Sequence, residues 1–543
     1  MNRPRNATSA AMVVILSLAG SSASAAAADA VHHGSGPALS ARGDAYSTHA
    51  GTSLTVRGSG VLANDSGRPV TLISHTDTAH GSLTLNQDGS FSYEPEAGFT
   101  GTDTFSYTVS DAVRLYRTHL SPLATIGGVP VTAGAYGSSL YPVPGSKDEY
   151  YGLTDRGPNA GAPNGQKVLP LPDFDPAIGR FRMVGTKAVL EKTIPLRAAD
   201  GTPYNGLVNS QAATGESLVD LSGNALPQSA YGYDPEGLVA MRDGTFWVSD
   251  EYGPYITHFD RTGRAIERLS PFDGSLPAEL ANRVPNKGME GLTVTPDGST
   301  LVGMMQSALQ QPDLSSSTKA KNVTTVRIVT YNLRTHATHE YAYLLDDPKV
   351  NSGAVSEITA LSDTRFLVDE RDGSFEPGTY KKLFAIDTAG ATDIGPSAQV
   401  PGAVYDAAKG GLLVGSGRQT IDAYVGQDDT ATAQAALTSV GITPVAKSLD
   451  VDLGALVSSL DPSGGFFGHD KIEGVATTDG GRTILVSNDS DFGVDGVVGD
   501  TPPYTLHAKI LPNGRQDDGE YLAVDTTRLP AATSTATVTI TVR

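Results

Sequence analysis

The 543-residue sequence contains no cysteine. Disulfides, thiolate metal sites and cysteine nucleophiles are therefore excluded, and rigidity outside a reducing compartment has to come from packing or from bound metal. Positive charge is scarce: 39 Lys and Arg stand against 59 Asp and Glu, a formal net charge of −20. That balance argues against nucleic acid and anionic membrane as main partners, and it is compatible with cation binding or simply with solubility. There is no G-x-S-x-G stretch, so the serine-hydrolase elbow is absent. Beyond the first residues no run is long and apolar enough to span a membrane.

Glycine (61) and proline (33) are abundant instead, which suits many short strands joined by turns. Arg3 and Arg5, the apolar run Ala10 to Gly20 and the small residues up to Ala25 or Ala28 have the form of an export signal. The expected organisation is a signal over 1–28 and a small, polar leader over 29–44, leading to a secreted, extracellular protein. His32 and His33 fall in that leader.

From Ala45 to Asp111 the chain reads as strand and turn. "NQDG" at 86–89 lies between two alternating runs and signals a hairpin. The last residues, "TSTATVTITVR" (533–543), alternate Thr with apolar residues as a half-buried strand does, yet no strand pattern just before them supplies a hairpin partner. "VLANDS" and "HGSLTLNQDGSFSYEPEAGFTGTDTFSYTVSD" resemble the cadherin-like, immunoglobulin-type repeats of bacterial surface and secreted proteins. In those repeats a segment like "TSTATVTITV" follows "DTFSYTVSD" after a short turn. The resemblance therefore implies a sandwich split into 45–112 and 530–543, with Thr533–Arg543 paired to Asp103–Ser110 across an inserted domain at 113–529. Insertion is tolerated where the guest's ends lie close together.

Within 113–529 one unit recurs: Glu, then Gly or Ile, a short apolar strand, a Gly/Asp turn, a second apolar strand and polar or acidic residues. The copies are "DPEGLVAMRDGTFWVSDEYG" (234–253), "GMEGLTVTPDGSTLVGMMQ" (288–306), "VSEITALSDTRFLVDERDG" (355–373) and "KIEGVATTDGGRTILVSNDSDFG" (471–493), with a distant copy at 131–159. Radially repeated hairpins with outer strands following them predict a β-propeller. Five inner hairpins are legible. Residues 401–460, where "TATAQAALTSVG" reads as helix, leave room for another, so the expected fold is all-β: a six-bladed propeller, with seven blades as the other count, inserted into an immunoglobulin-like sandwich.

In an antiparallel hairpin the start of the first strand lies beside the end of the second. Glu236 then falls opposite Asp250 and Glu251, Glu357 near Asp369 and Glu370, and Glu473 near Ser487, Asn488 and Asp489. Glu290 lies opposite Met305 and Gln306; in the distant copy Asp155 and Arg156 end the second strand, with Gly137 opposite. If these are inner strands, the acids converge on one mouth of the channel, where they repel unless neutralised. Arg156, Lys287, Arg371 and Lys471 accompany the same motifs. Carboxylate oxygens without cysteine suit Ca²⁺ or Mg²⁺ rather than zinc. The competing reading is that each Glu satisfies backbone N–H groups of a neighbouring blade. His469 reads as a surface-loop histidine and Trp247 as core.

The segments "YYGLTDRGPN", "YDPEGLVAMRDGTFWVSDEYGPYITHFDRTGR", "NKGMEGLTVTPDGSTLVGMMQSAL", "SEITALSDTRFLVDERDG" and "DKIEGVATT" through "ILVSNDSDFG" resemble the phytase-like propeller family with esterase-like activity, in the family order. The resemblance implies a secreted ester hydrolase, phosphate esters first. It points to Glu236, Glu290, Glu473 and Arg156 for catalysis. Asp155, Asp250, Glu251, Glu357, Asp369, Glu370 and Asp489 are expected to hold metal, with Asn488 beside them in the motif. Arg156, Asn159, Lys287, Arg371 and Lys471 are expected to hold an anionic small-molecule substrate. Two other readings stay open. One is a non-catalytic binding or adhesion protein using the same rim, with the sandwich touching a cell surface or polymer. The other is a lactonase-type hydrolase.

Overall fold

A computed structural model describes residues 37–67, 69–212 and 215–543. The expected signal and the leader up to residue 36 lie outside the described residues.

Two short sheets form the N-terminal sandwich. One orders the strands Asp44–Thr48, Ser534–Val542, Gly101–Ser110 and Thr71–His75; the other orders Leu54–Val56, Phe91–Pro95 and Gly81–Leu85. The chain's last strand thus lies between its first and the long strand Gly101–Ser110, antiparallel to the latter with Val538 opposite Phe105. Its alternation sends Ala536, Val538, Ile540 and Val542 inward onto Phe91, Tyr93, Phe105, Tyr107 and Val109. At roughly 1.5–3 kcal/mol for each large apolar side chain buried, this strand is a major part of a small core. The sandwich is fastened to its guest: Thr71 Oγ1 donates to Val113 O at 2.6 Å, Arg528 pairs with Asp111, and Ile73 packs with Val113, Leu529 and Ala531.

The inserted domain is a propeller of four-stranded blades. From the inner strand outward, blade 1 is Ser139–Pro142, Glu149–Leu153, Ala177–Val184 and Lys187–Pro195. Blade 2 is Pro235–Ala240, Phe246–Asp250, Ile256–Phe259 and Ala265–Leu269. Blade 3 is Met289–Val294, Thr300–Met305, Thr325–Asn332 and Thr338–Leu344. Blade 4 is Ala354–Ala360, Arg365–Arg371, Lys381–Asp387 and Ala446–Asp452. Blade 5 is Ile472–Thr477, Thr483–Asn488 and Glu520–Asp525, closed on its outer edge by Val113–Arg117 from the other end of the guest. The inner strands follow one another around the axis, and that of blade 5 returns to that of blade 1.

The ring therefore closes with five blades, not six or seven. Residues 401–460 add no sixth: they form a small sheet of Val404–Asp406, Gly411–Val414 and Gln419–Thr420, helices Ile421–Val425, Thr430–Ser439 and Leu453–Leu460, and the outer strand of blade 4. The expected helix is the second of these, and Asp429 caps it by accepting from Thr432 N. Apolar residues of this excursion, among them Leu412, Val414 and Leu437, pack on Ala342 and Leu344 at the outer edge of blade 3, which leaves no inner strand for the ring.

The recurring Glu-Gly pair explains how the ring can be so tight. A Cβ on Gly237 would stand 2.6 Å from Leu292 N, one on Gly291 2.6 Å from Ile358 N, and one on Gly474 2.8 Å from Leu140 N. Only bare backbone lets each inner strand approach the next. The preceding Glu sits in a β-bulge in blades 2, 3 and 5, and the pairing of blade 4 shifts just before Glu357. A bulge re-aims a side chain, here toward the channel.

Candidate functional site

Strand ends and the loops that follow them bring a set of buried charges to one end of the ring. Asp234, just before the strand that carries Glu236, joins Glu236 and Glu251: one oxygen of each lies within 4.8 Å of the others. Asp234 Oδ1 accepts from Arg156 N at 3.2 Å, and its Oδ2 lies 3.8 Å from Arg156 Nε. Among the described residues the side chains of Glu236 and Glu251 accept no hydrogen bond. Burial pushes the pKa of both well up, and the neighbouring Glu290 and Asp234 push in the same direction.

Glu290 stands beside this trio. Its Oε1 accepts from Gln306 Nε2 at 2.5 Å, Gln306 Oε1 accepts from Lys287 Nζ at 2.6 Å, and Glu290 Oε2 has no donor. Burial lifts Glu290 to about 7, while Arg371 and Lys287 pull it down. Glu473 pairs with Arg371, whose Nε stays without an acceptor; burial lifts Glu473 to about 8 against that pairing. Lys471 bridges Asp489 (2.8 Å) and Asp491 (2.6 Å). Asp155 is raised by burial and by Asp489 and Asp234, although it accepts from Gly157 N. Arg156 grips Glu216 with both terminal nitrogens (2.7 and 3.2 Å) and lies 5.3 Å from the Tyr252 ring centre. Asn159 accepts from Lys167 Nζ at 3.1 Å.

Seven buried carboxyl groups (Asp155, Asp234, Glu236, Glu251, Glu290, Glu473 and Asp489) thus share this end with Arg156, Lys287, Arg371 and Lys471, leaving acid in excess.

Of the other residues expected to hold metal, Glu357 and Glu370 are engaged by donors, whereas Asp250 and Asp369 keep oxygens that no donor among the described residues reaches. Glu357 points into the channel and is fully satisfied: it accepts from Ser139 Oγ at 2.5 Å, Ile358 N at 3.0 Å and Leu292 N at 3.1 Å, tying blades 1, 3 and 4 together. Its neighbour-satisfying role is the structural reading of these glutamates. Glu370 faces away from the channel, where Lys447, Tyr343 and Tyr380 surround it, because strand alternation turns it opposite to Asp369 and Arg371. Asp250 accepts from Tyr252 N at 2.7 Å and faces Arg268, itself held among Tyr204, Tyr233 and Tyr255. Asp369 is 1% exposed between Arg371 and Lys381, with no donor on either oxygen. Asn488 is spent on Asp517, Asp518 and Glu520.

His469 is not at the surface. It is fully buried between Asp517 (3.0 Å) and Glu520 (3.1 Å). Burial alone would lower its pKa, but the two carboxylates outweigh that and raise it to about 9, so the ring carries a proton. Lys509 extends the network, pairing with Asp470 and Asp491 at 2.7 Å and with Asp517 at 3.4 Å. Trp247 is core, stacked on His258 with ring centres 4.2 Å apart.

Asp234 was available to sequence reasoning only as a member of the "DPEG" motif, since it precedes the strand and stands next to the bulge. Asp491 also lay within the last legible copy (471–493); Glu216, Lys509 and Asp517 did not: they sit in connections without a repeat, and only folding carries them to the mouth.

A family profile described as phytase-like, esterase-like activity of phytase, matches residues 132–492, and a bacterial Ig domain profile matches 36–119. A protein of Arthroderma benhamiae described as an uncharacterized secreted protein is 29% identical over 232 residues, covering 34% of this chain and 45% of its own length. The chain thus spans under half of that relative. Among solved structures, catalytically inactive virginiamycin B lyase from Staphylococcus aureus with quinupristin has 12% identity and a TM-score of 0.28, over 76% of this chain and 99% of its own. A calcium-binding protein, regucalcin, from Agrobacterium tumefaciens has 15% identity and a TM-score of 0.23, over 62% and 96%. At those scores the likenesses carry no argument about chemistry.

Proposed function

The chain belongs to the phytase-like family described by esterase-like activity, and from that premise we propose that its acidic mouth hydrolyses phosphate esters with a bound divalent cation. The observation that carries this reading is the Asp234, Glu236 and Glu251 trio, three buried carboxylates in mutual reach of which two accept no hydrogen bond. An all-oxygen donor set without Cys or His fits Ca²⁺, with Mg²⁺ the smaller alternative. Asp155 and Asp489, at the same end, could complete it. When bound, such an ion neutralises phosphoryl oxygens and lowers the pKa of water.

The chain's own residues do the rest. Glu290, held by Gln306 at one oxygen and open at the other, has a pKa near neutrality and can take the proton of an attacking water. Arg371, steadied by Glu473, has its Nε hydrogen to offer a phosphoryl oxygen. Arg156 is committed to Glu216 and Asp234 and so positions the trio rather than binding substrate with its terminal nitrogens. Lys471, bound to Asp489 and Asp491, likewise sets the local charge.

A second reading, a non-catalytic anion- or polymer-binding rim, draws support from these same engaged cations. Export to the extracellular side is supported by the N-terminal signal pattern and by the relative described as secreted; among the described residues no helix is long and apolar enough to cross a membrane. The deciding experiment is a panel of phosphomonoester, phytate, carboxylate ester and lactone, with Ca²⁺ and after chelation. Calcium-dependent phosphate release supports hydrolysis. Turnover of none of them by folded, metal-supplied protein refutes it in favour of binding, and lactone turnover alone favours the lactonase-type reaction.

A further inference from the structure

One position at the mouth is common to all five blades, and in two of them it is a serine. The close approaches of Gly237 to Leu292 N, Gly291 to Ile358 N and Gly474 to Leu140 N make Leu140, Leu292 and Ile358 equivalent around the ring. The residue two before each is then equivalent as well: Ser138, Glu290 and Ser356. The bulges agree. Ser356 is passed over between the pairs Val355–Glu370 and Glu357–Asp369, as Glu290 is between Met289–Met305 and Gly291–Met304. Ser138 lies between Gly137 and Ser139, both of which bridge Leu153. Around the axis the bulged position therefore reads Ser138, Glu236, Glu290, Ser356 and Glu473. Glu357, one residue further along its strand, is not a member of this ring.

The order divides the mouth into two halves. Glu236 and Glu290 come from neighbouring blades, whereas Glu473 stands between blades 4 and 1 and so is flanked by the two serines. Ser138 and Ser356 are each 1% exposed, and neither hydroxyl has a hydrogen-bond partner among the described residues. Arg371, at the end of the second strand of blade 4, pairs with Glu473 through a terminal nitrogen and leaves its Nε without an acceptor. One residue deeper the channel is bridged: Ser139 Oγ donates to Glu357 Oε2 at 2.5 Å, joining blades 1 and 4 with blade 5 between them. Buried polar hydrogens are nearly always matched, because an unmatched one has given up its bond to water for nothing. Three left over on one side of one mouth call for an acceptor with several oxygens.

We propose that the blade 4, 5 and 1 side of the mouth is an oxyanion subsite, where the Ser138 and Ser356 hydroxyls and Arg371 Nε each donate to one oxygen of a phosphoryl group. It rests on the phosphate-ester reading and names the half of the mouth that holds the phosphoryl group. A phosphate monoester offers three such oxygens besides its ester oxygen. A carboxylic ester or lactone offers one carbonyl oxygen and would leave two of the three donors unmatched. Serine also suits these two positions by being short and neutral: a glutamate at either would fill the slot and set a further negative charge beside Glu473, against the anion.

The probe is inorganic phosphate, titrated calorimetrically into the full chain with Ca²⁺ kept below precipitation, beside a Ca²⁺ titration without phosphate. Ser138→Ala and Ser356→Ala should each weaken phosphate binding about tenfold or more, the loss of one hydrogen bond to a charged oxygen, and leave Ca²⁺ affinity within about twofold. Since the fold makes no use of either hydroxyl, both variants should melt no lower than wild type without ligand. Wild type that does not bind phosphate, variants that bind it equally well, variants that lose Ca²⁺ affinity to the same extent, or variants that melt lower each overturn the subsite. The ester panel keeps the subsite apart from hydrolysis. Serine-dependent phosphate binding with no ester turned over upholds the subsite and refutes the hydrolase. Phosphomonoester turnover with an unchanged KM in both variants upholds the hydrolase and refutes the subsite.

Discussion

Glu290→Gln puts a number on the claim that the mouth is overloaded with negative charge. Glu290 is 3% exposed, and burial carries its pKa from 4.5 to about 7 even with Arg371 and Lys287 pulling the other way. The difference corresponds to roughly 3 kcal/mol. Because the folded value lies above the unfolded one, this contribution to stability is complete below about pH 4.5 and disappears as the pH rises through about 7. Glutamine is neutral throughout and can keep an amide contact with Gln306. In chelator the variant should match wild type near pH 4 and exceed it by about 2–3 kcal/mol near pH 8. The assay is denaturant unfolding followed by the fluorescence of Trp247, the sole tryptophan, buried in blade 2. The gain should coexist with turnover at least about tenfold lower in the hydrolysis panel. A variant less stable than wild type near pH 8, or a pH curve parallel to the wild-type one, would refute the electrostatic argument whatever the activity does.

Calcium at about a hundred times its dissociation constant should stabilise wild type by about 2.7 kcal/mol; Glu236→Gln should lose most of that gain in a thermal-shift titration, and an unchanged gain would take Glu236 out of the ion site. Gly291→Ala drives a Cβ to 2.6 Å from Ile358 N, so it should cost about 1–3 kcal/mol or more by unfolding, with Gly373→Ala, where nothing lies within 4 Å and φ is not positive, as the control that should cost little. His469 should stay protonated to about pH 9, since its folded value lies above the free 6.5. Its stabilising contribution is therefore whole below about 6.5 and fades as the pH passes about 9, and a ring NMR titration with midpoint below about 7 would contradict the arrangement with Asp517 and Glu520.

Two kinds of information separate cleanly in this protein. Period and repetition are local properties, so the alternation of residues 534–542, the four Glu-containing hairpins and the turn glycines could be read directly. They determined an all-β propeller within a sandwich, and the strand ends at which acids would gather. Closure is not local. Whether a sixth blade exists depends on whether 401–460 places a strand at the axis, and its apolar residues found a better surface on Ala342 and Leu344 of blade 3. Nor does a motif say which way each acid faces once bulges have turned it: Glu357 is consumed by two backbone N–H groups and Ser139, and Glu370 by Lys447 and two tyrosines. His469 sits in a glycine-flanked stretch that reads as exposed, and only Asp517 and Glu520, about fifty residues on, bury and charge it. Sequence alone determined the elements and their inventory of charge. Tertiary structure decided which charges meet, because the energy of a buried carboxylate depends on partners that the chain delivers from distant connections.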